Sequence, residues 1–231
     1  MIQKDTFQNN NNNNNSNKQL VKLTKQTKKA VWKQYFAISS SKVALLSMLL
    51  ALEIVCTLFS KYVMGLIPIY QFLVLELSYW VIAVVVISTN LFWASMFTLT
   101  AIFMRFILGS EPVGLLSMTL IDLSAVIVLS TSLFIIKRVH LTSNRYQRFL
   151  DYEIWWTMLA CFISLVVASL VALITNYGFI FKLYNIPIET YKVYLPVTFG
   201  FTILKFTVNY TIFLIIFKRV SIILKQLENM S

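Results

Sequence analysis

The sequence predicts an all-α integral membrane protein, a six-transmembrane-helix bundle with both termini cytoplasmic, and three observations predict it. Of 231 residues, 58% are hydrophobic and only 13% charged, whereas a soluble domain is nearer half apolar and a quarter charged. Lipid must therefore act as solvent for much of the surface. Six apolar stretches follow one another between residues 42 and 217, and a helix needs about 20 apolar residues, at roughly 1.5 Å rise each, to cross a bilayer. The basic residues then segregate to one side of those stretches, as the positive-inside rule requires.

Residues 1–36 form the first element. Residues 9–15 are all Asn, a polar tract that cannot bury enough surface to offset its ordering entropy, and a disordered cytoplasmic tail is expected. From Lys18 to Phe36, six Lys alternate with Leu20, Leu23, Val31, Trp32 and Phe36. That pattern suits either an interfacial basic helix on anionic headgroups or a solvated tail. No short apolar core follows a small positive region at the start, so no cleavable signal peptide is expected.

Residues 37–231 hold the membrane domain, with spans expected at 42–67, 72–88, 90–108, 113–136, 154–180 and 193–217. The second is short, which calls for tilt or local thinning. No Gly-rich or Pro-rich linker and no internal repeat divides it. Turn residues fall between spans: Gly65 and Pro68, Gly109 to Pro112, and Asn185 to Pro187. Of 20 Lys and Arg, all but five lie in the tail through Lys42, in the connection with Lys137, Arg138, Arg145 and Arg148, or in the C-terminus with Lys218, Arg219 and Lys225. The opposite connections hold only Lys182 and Lys192, which places both termini inside and predicts a multi-pass protein of the cell membrane. The net charge of +11 is thus a topology signal, and no nucleic-acid partner is expected.

A charge near the bilayer centre costs about 2.5–3.5 kcal/mol on insertion scales, so each intramembrane ionisable group is a functional candidate. The set is Glu53, Lys61, Glu76, Arg105, Asp122 and Lys205, and the expected orientation gathers most of it in the outer half. In the sixth span Thr198, Thr202, Lys205 and Asn209 recur at helical spacing, within about 60° of one another at 100° per residue. They form one polar stripe. Either the stripe lines a cavity open to the exterior, or Lys205 pairs with Asp122 or Glu53 between helices. The fifth span carries no charge, but Ser169, Ala172 and Asn176 share a face, and Tyr177, Phe179, Phe181 and Tyr184 follow. An amide beside aromatics suits a flat heterocycle.

Ser40, Ala44, Ser47 and Ala51 recur with the same spacing on the first span. Small residues let helices approach closely, for packing inside the bundle or for docking a partner. His140 and the pair Trp155 and Trp156 read as interfacial anchors. Cys56 and Cys161 read as apolar fillers, with no metal site, cofactor or catalytic set expected. The chain lacks a nucleotide loop, His-Glu-x-x-His and Gly-x-Ser-x-Gly, and a non-enzymatic role follows. Any pumping must be powered by another subunit or an ion gradient.

From about Ser41 to Leu227 the chain resembles the substrate-binding S components of energy-coupling factor vitamin transporters. The resemblance rests on Val43-Ala-Leu-Leu-Ser47, on Glu76-Leu-Ser78, and on the order of the six spans. Within that family it is most similar to the riboflavin-specific branch. Leu173-Ile-Thr-Asn176-Tyr177 with Tyr184 resembles its Leu-Asn-Tyr motif, and Phe201-Thr-Ile-Leu-Lys205 before Phe217-Lys-Arg219 resembles its Phe-Asn-x-x-Lys motif. Thr202 stands where relatives have Asn, Met48 replaces a small residue of the docking motif, and the third span lacks a Gly-Pro opening.

The resemblance implies a subunit that captures riboflavin outside the cell for ATP-driven uptake. Its partners would be a transmembrane coupling protein and two ATP-binding subunits, and it topples in the membrane to deliver its ligand. Asn176 and Lys205 would contact the flavin, with Thr202 and Asn209 on the same stripe and Glu76 and Tyr184 shaping the mouth. Ser40, Ala44, Ser47 and Ala51 would dock the coupling protein. Other vitamins (thiamine, folate or a biotin-like compound) and a non-transporting membrane scaffold are the alternative readings.

Overall fold

A computed structural model of the chain describes residues 35–37, 39–63, 75–142 and 152–229. The expected tail lies outside them except for Tyr35 and Phe36, whose rings meet edge to face at 5.2 Å. So do the turn at Gly65 and Pro68 and the connection with Arg145 and Arg148. Ser40–Ser231 forms one compact unit, and everything below concerns it.

Among the described residues the secondary structure is entirely helical: α1 (Ser40–Tyr62), α2 (Tyr79–Ser88), α3 (Leu91–Ile107), α4 (Pro112–Thr142), α5 (Glu153–Thr175) and α6 (Tyr191–Asn229). α5 continues through a π turn, Asn176–Ile180, and a last turn, Phe181–Leu183. A single 3-10 turn, Ile188–Thr190, leads into α6. Among the described residues four helices are long and apolar enough to cross a membrane, namely α1, α4, α5 with its extension, and α6 with its leading turn.

The second and third expected spans appear as shorter helices, of 10 and 17 residues. At 1.5 Å per residue these reach about 15 and 25 Å. α2 begins seven residues later than the sequence pattern suggests, because residues 75–78 run without helical structure. Its composition explains its place. Tyr79 and Val81 to Val86 are all buried, and a helix that is apolar all round belongs inside a protein. α2 packs against α1, α3, α4 and α6.

Non-helical backbone can sit in such an interior only where its polar groups find partners. Here they do. The Leu77 N–H donates to Ser60 Oγ at 2.9 Å, and the Trp80 N–H to Asn209 Oδ1 at 3.1 Å. The Glu76 carbonyl accepts from Asn209 Nδ2 at 2.7 Å.

α3 ends in a Schellman turn, with Gly109 at φ +75°. The Gly109 N–H reaches Phe106 O and the Ser110 N–H reaches Arg105 O. Lys61 completes the cap by donating to Leu108 O at 2.6 Å and to Gly109 O at 3.2 Å. This intramembrane candidate therefore holds a helix end, where a cation also complements the dipole. The other predicted turn holds Asn185 at φ 53°, a left-handed position that Asn tolerates.

α4 and α5 pair along their length, and α5 packs on α6. Ala125, Ala160, Ala168 and Ala172 are fully buried, and such small residues let backbones approach. Ser164 links three helices: its hydroxyl donates to Ala125 O at 2.9 Å and accepts from Tyr210 OH at 2.7 Å. On α1, in contrast, Ser40, Ala44, Ser47 and Ala51 are all exposed. They do not pack inside the bundle, and Met48 beside them is 73% exposed.

Candidate functional site

Five of the six intramembrane charges converge. Glu53 comes from α1, Glu76 from the segment before α2, Arg105 from α3, Asp122 from α4 and Lys205 from α6. Arg105 is the hub. Its Nε and Nη2 both donate to Glu53 Oε1, at 3.0 and 2.6 Å. Nη2 also donates to Ser78 Oγ at 2.9 Å, and Nη1 to Glu76 Oε2 at 3.0 Å. Asp122 Oδ2 lies 3.6 Å from Nη1. The planar, fork-shaped guanidinium suits this multiple recognition of carboxylates.

Lys205 forms the second centre, 3.1 Å from Asp122 Oδ1 and 3.3 Å from Glu76 Oε2. Glu76 thus bridges the two cations. Thr57 adds a third donor to Glu53 Oε1, at 3.0 Å. Removing charges from water is costly, and close ion pairs with added hydrogen bonds offset part of that cost.

The polar stripe of α6 faces the interior along its whole length: Thr198, Thr202, Lys205 and Asn209 are all buried. Their side chains do different things. Thr198 and Thr202 bond back to carbonyls of their own helix. Asn209 is fully committed to main chain, with Nδ2 donating to Glu76 O and Lys205 O and Oδ1 accepting from Trp80 N–H. An amide offers two donors and one acceptor oxygen, so nothing of Asn209 faces outward. Lys205 uses two of its three donors on carboxylates, which makes the interhelical pair with Asp122 an observed contact.

A second cluster gathers where α5 ends and α6 begins. Asn176 opens the π turn and is 7% exposed. Tyr191 is also buried, with no partner for its hydroxyl. Phe181 packs edge-on against Tyr191 at 5.0 Å and against Tyr194 at 6.2 Å, and Tyr177 meets Tyr191 at 6.1 Å. π turns concentrate at functional positions because they redirect side chains. The Ser169, Ala172 and Asn176 face is buried throughout, and the π turn packs on α4 and α6.

Tyr184 follows the last turn of α5. Its hydroxyl donates to Glu111 Oε2 at 2.9 Å, joining the end of α5 to the α3–α4 turn. A side chain at Gly114 would meet that hydroxyl at 3.4 Å. Partial burial, and then the bond to Glu111, pushes the Tyr184 hydroxyl well above its ordinary value.

The sequence pattern did not single out Tyr191, which looks there like one more interfacial aromatic, nor Ser78 as a partner of Arg105. Glu-x-Ser spacing was the one visible signal for Ser78. Among the described residues no group of His, Cys, Asp and Glu has the arrangement of a metal site.

The architecture and these two clusters define a helical membrane protein with a buried ionic network beside an aromatic-amide cluster. No protein-family model matches the chain, and comparison with curated proteins gives no match.

Proposed function

We propose that this chain is the membrane-embedded substrate-binding subunit of an energy-coupling factor type transporter, a six-span protein of the cell membrane with both termini cytoplasmic, and that it captures riboflavin from outside the cell. In this reading the shorter α2 and α3 provide the remaining two crossings. The reading is supported by Tyr191, whose buried hydroxyl has no hydrogen-bond partner among the described residues, in an aromatic cluster with the π turn that Asn176 opens. A buried polar group left unpaired costs about 1–3 kcal/mol, and a flat heterocycle with donors and acceptors on its edge would recover it.

In this reading Asn176 bonds the ring edge, Tyr191 adds a hydroxyl, and Phe181 and Tyr194 supply apolar faces. Lys205 offers its third donor, Thr202 a weaker contact, and Asn209 serves the fold. Glu76 positions Lys205, and the bond from Tyr184 to Glu111 ties the loops at that end. The exposed strip of Ser40, Ala44, Ser47 and Ala51 would meet the coupling protein, which two ATP-binding subunits drive.

A panel of vitamins added to the purified protein tests this. Riboflavin should raise the unfolding temperature and co-purify as flavin absorbance. A response to thiamine alone would move the assignment to a cationic vitamin, which the excess of carboxylates in the network would favour. No response to any vitamin would remove the transporter reading.

A further inference from the structure

The ionic network does not balance. Glu53, Glu76 and Asp122 bring three negative charges, and Arg105 and Lys205 bring two positive ones. One negative charge is left over in a site where Glu53 and Asp122 are 0% exposed. Their hydrogen bonding falls short in the same way, because Glu53 Oε2 and Asp122 Oδ2 have no donor. The hydroxyl of Tyr79, also 0% exposed, donates to none of these carboxylates.

No described neighbour supplies the missing charge. Lys61 is spent on the end of α3. Cys56 on α1 lies in the field of Glu53. Tyr79 on α2 lies in the fields of Asp122, of Tyr210 on α6 and of Cys161 on α5. Thiols and phenols carry no charge at neutral pH. An isolated charge in low dielectric is far costlier than a neutral hydrogen-bonded group.

We propose that the network is a proton-binding site, holding one exchangeable proton on a carboxylate oxygen that lacks a donor. Taken up from water, that proton brings the network from a charge of −1 to zero and turns an orphan acceptor into an O–H donor. The smallest cation needs no cavity, which suits a cluster this closed. Exchange enters at the edge formed by Glu76 and Lys205, whose side chains are 10% and 7% exposed. The inference does not depend on which ligand the protein takes.

Infrared spectroscopy of the full-length protein in lipid bilayers at neutral pH tests it. The native protein should show a protonated-carboxyl carbonyl band that shifts in heavy water. Asp122→Asn or Glu53→Gln should abolish that band, and Lys205→Met, which raises the deficit to two, should roughly double it. Absence of the band from the native chain, or a band that survives both carboxyl substitutions, overturns the proposal. If a variant does not fold, carboxyl isotope labelling of the native chain decides. The label goes first on the three aspartates, Asp5, Asp122 and Asp151, and then on the glutamates. Failure of riboflavin binding would leave this result untouched.

Discussion

Around Arg105 most polar atoms are bonded to another part of the protein, whereas at the π-turn cluster the buried Tyr191 hydroxyl has no partner among the described residues. Both regions are costly to build inside a bundle, but for different reasons. The network around Arg105 ties five elements together, and among the described residues its fully buried atoms without a hydrogen bond are Glu53 Oε2, Asp122 Oδ2 and the Tyr79 hydroxyl. At the π turn, the Tyr191 hydroxyl has no protein partner among the described residues, and Asn176 is 7% exposed. In the proposed reading, groups with protein partners hold the fold and the Tyr191 hydroxyl is left for a ligand. Burial alone does not separate the two classes; the inventory of hydrogen bonds does.

The strongest way to break this comparison is Arg105→Met. It leaves three buried carboxylates facing one lysine and should cost about 3–5 kcal/mol of stability, read as a large fall in unfolding temperature. A loss below about 1 kcal/mol would mean that the network holds nothing together. Asn209→Ala comes next. It strands the Glu76 carbonyl and the Trp80 N–H, at about 1–3 kcal/mol each, and hydrogen exchange should speed up at Trp80 before it does elsewhere. Protection unchanged at that amide would place the start of α2 under some other control.

Lys61→Ala removes only a helix cap. It should cost about 0.3–1 kcal/mol, with fraying confined to the end of α3, and a loss as large as that from Arg105→Met would contradict its separation from the network. The smallest effect concerns Tyr184. Its hydroxyl is raised above the ordinary value by burial and by the bond to Glu111, so that bond is fully present below the ordinary tyrosine range and is lost only as pH rises through the higher folded value. At pH near 10, where an ordinary tyrosine is about half ionised, Tyr184→Phe should leave the phenolate absorbance unchanged. A clear drop would show that Tyr184 titrates normally.

Much of the helical order was legible in the sequence, because apolar length and turn residues are local signals. The expected limits of the third span differ from α3 by one residue at each end. The late start of α2 was not legible, since residues 75–78 depend on Ser60 and Asn209, which lie far away in sequence. The stripe of α6 was readable as one face, but not the division of labour along it. Asn209 and Lys205 present similar signals in a helical projection, and only the position of the Glu76 carbonyl separates them. The small strip on α1 has the same limit: spacing shows that four residues share a face, while only the placement of α2 and α3 leaves that face exposed. The convergence of Glu53, Glu76 and Asp122 on Arg105 belongs wholly to the tertiary structure.

Asn176→Ala tests most directly whether the π-turn cluster forms the proposed ligand site. Its riboflavin affinity, titrated by quenching of flavin fluorescence alongside the native protein, should fall about tenfold, the equivalent of roughly 1.4 kcal/mol, with the unfolding temperature of the empty protein unchanged. Native-like affinity in the folded variant would contradict the account.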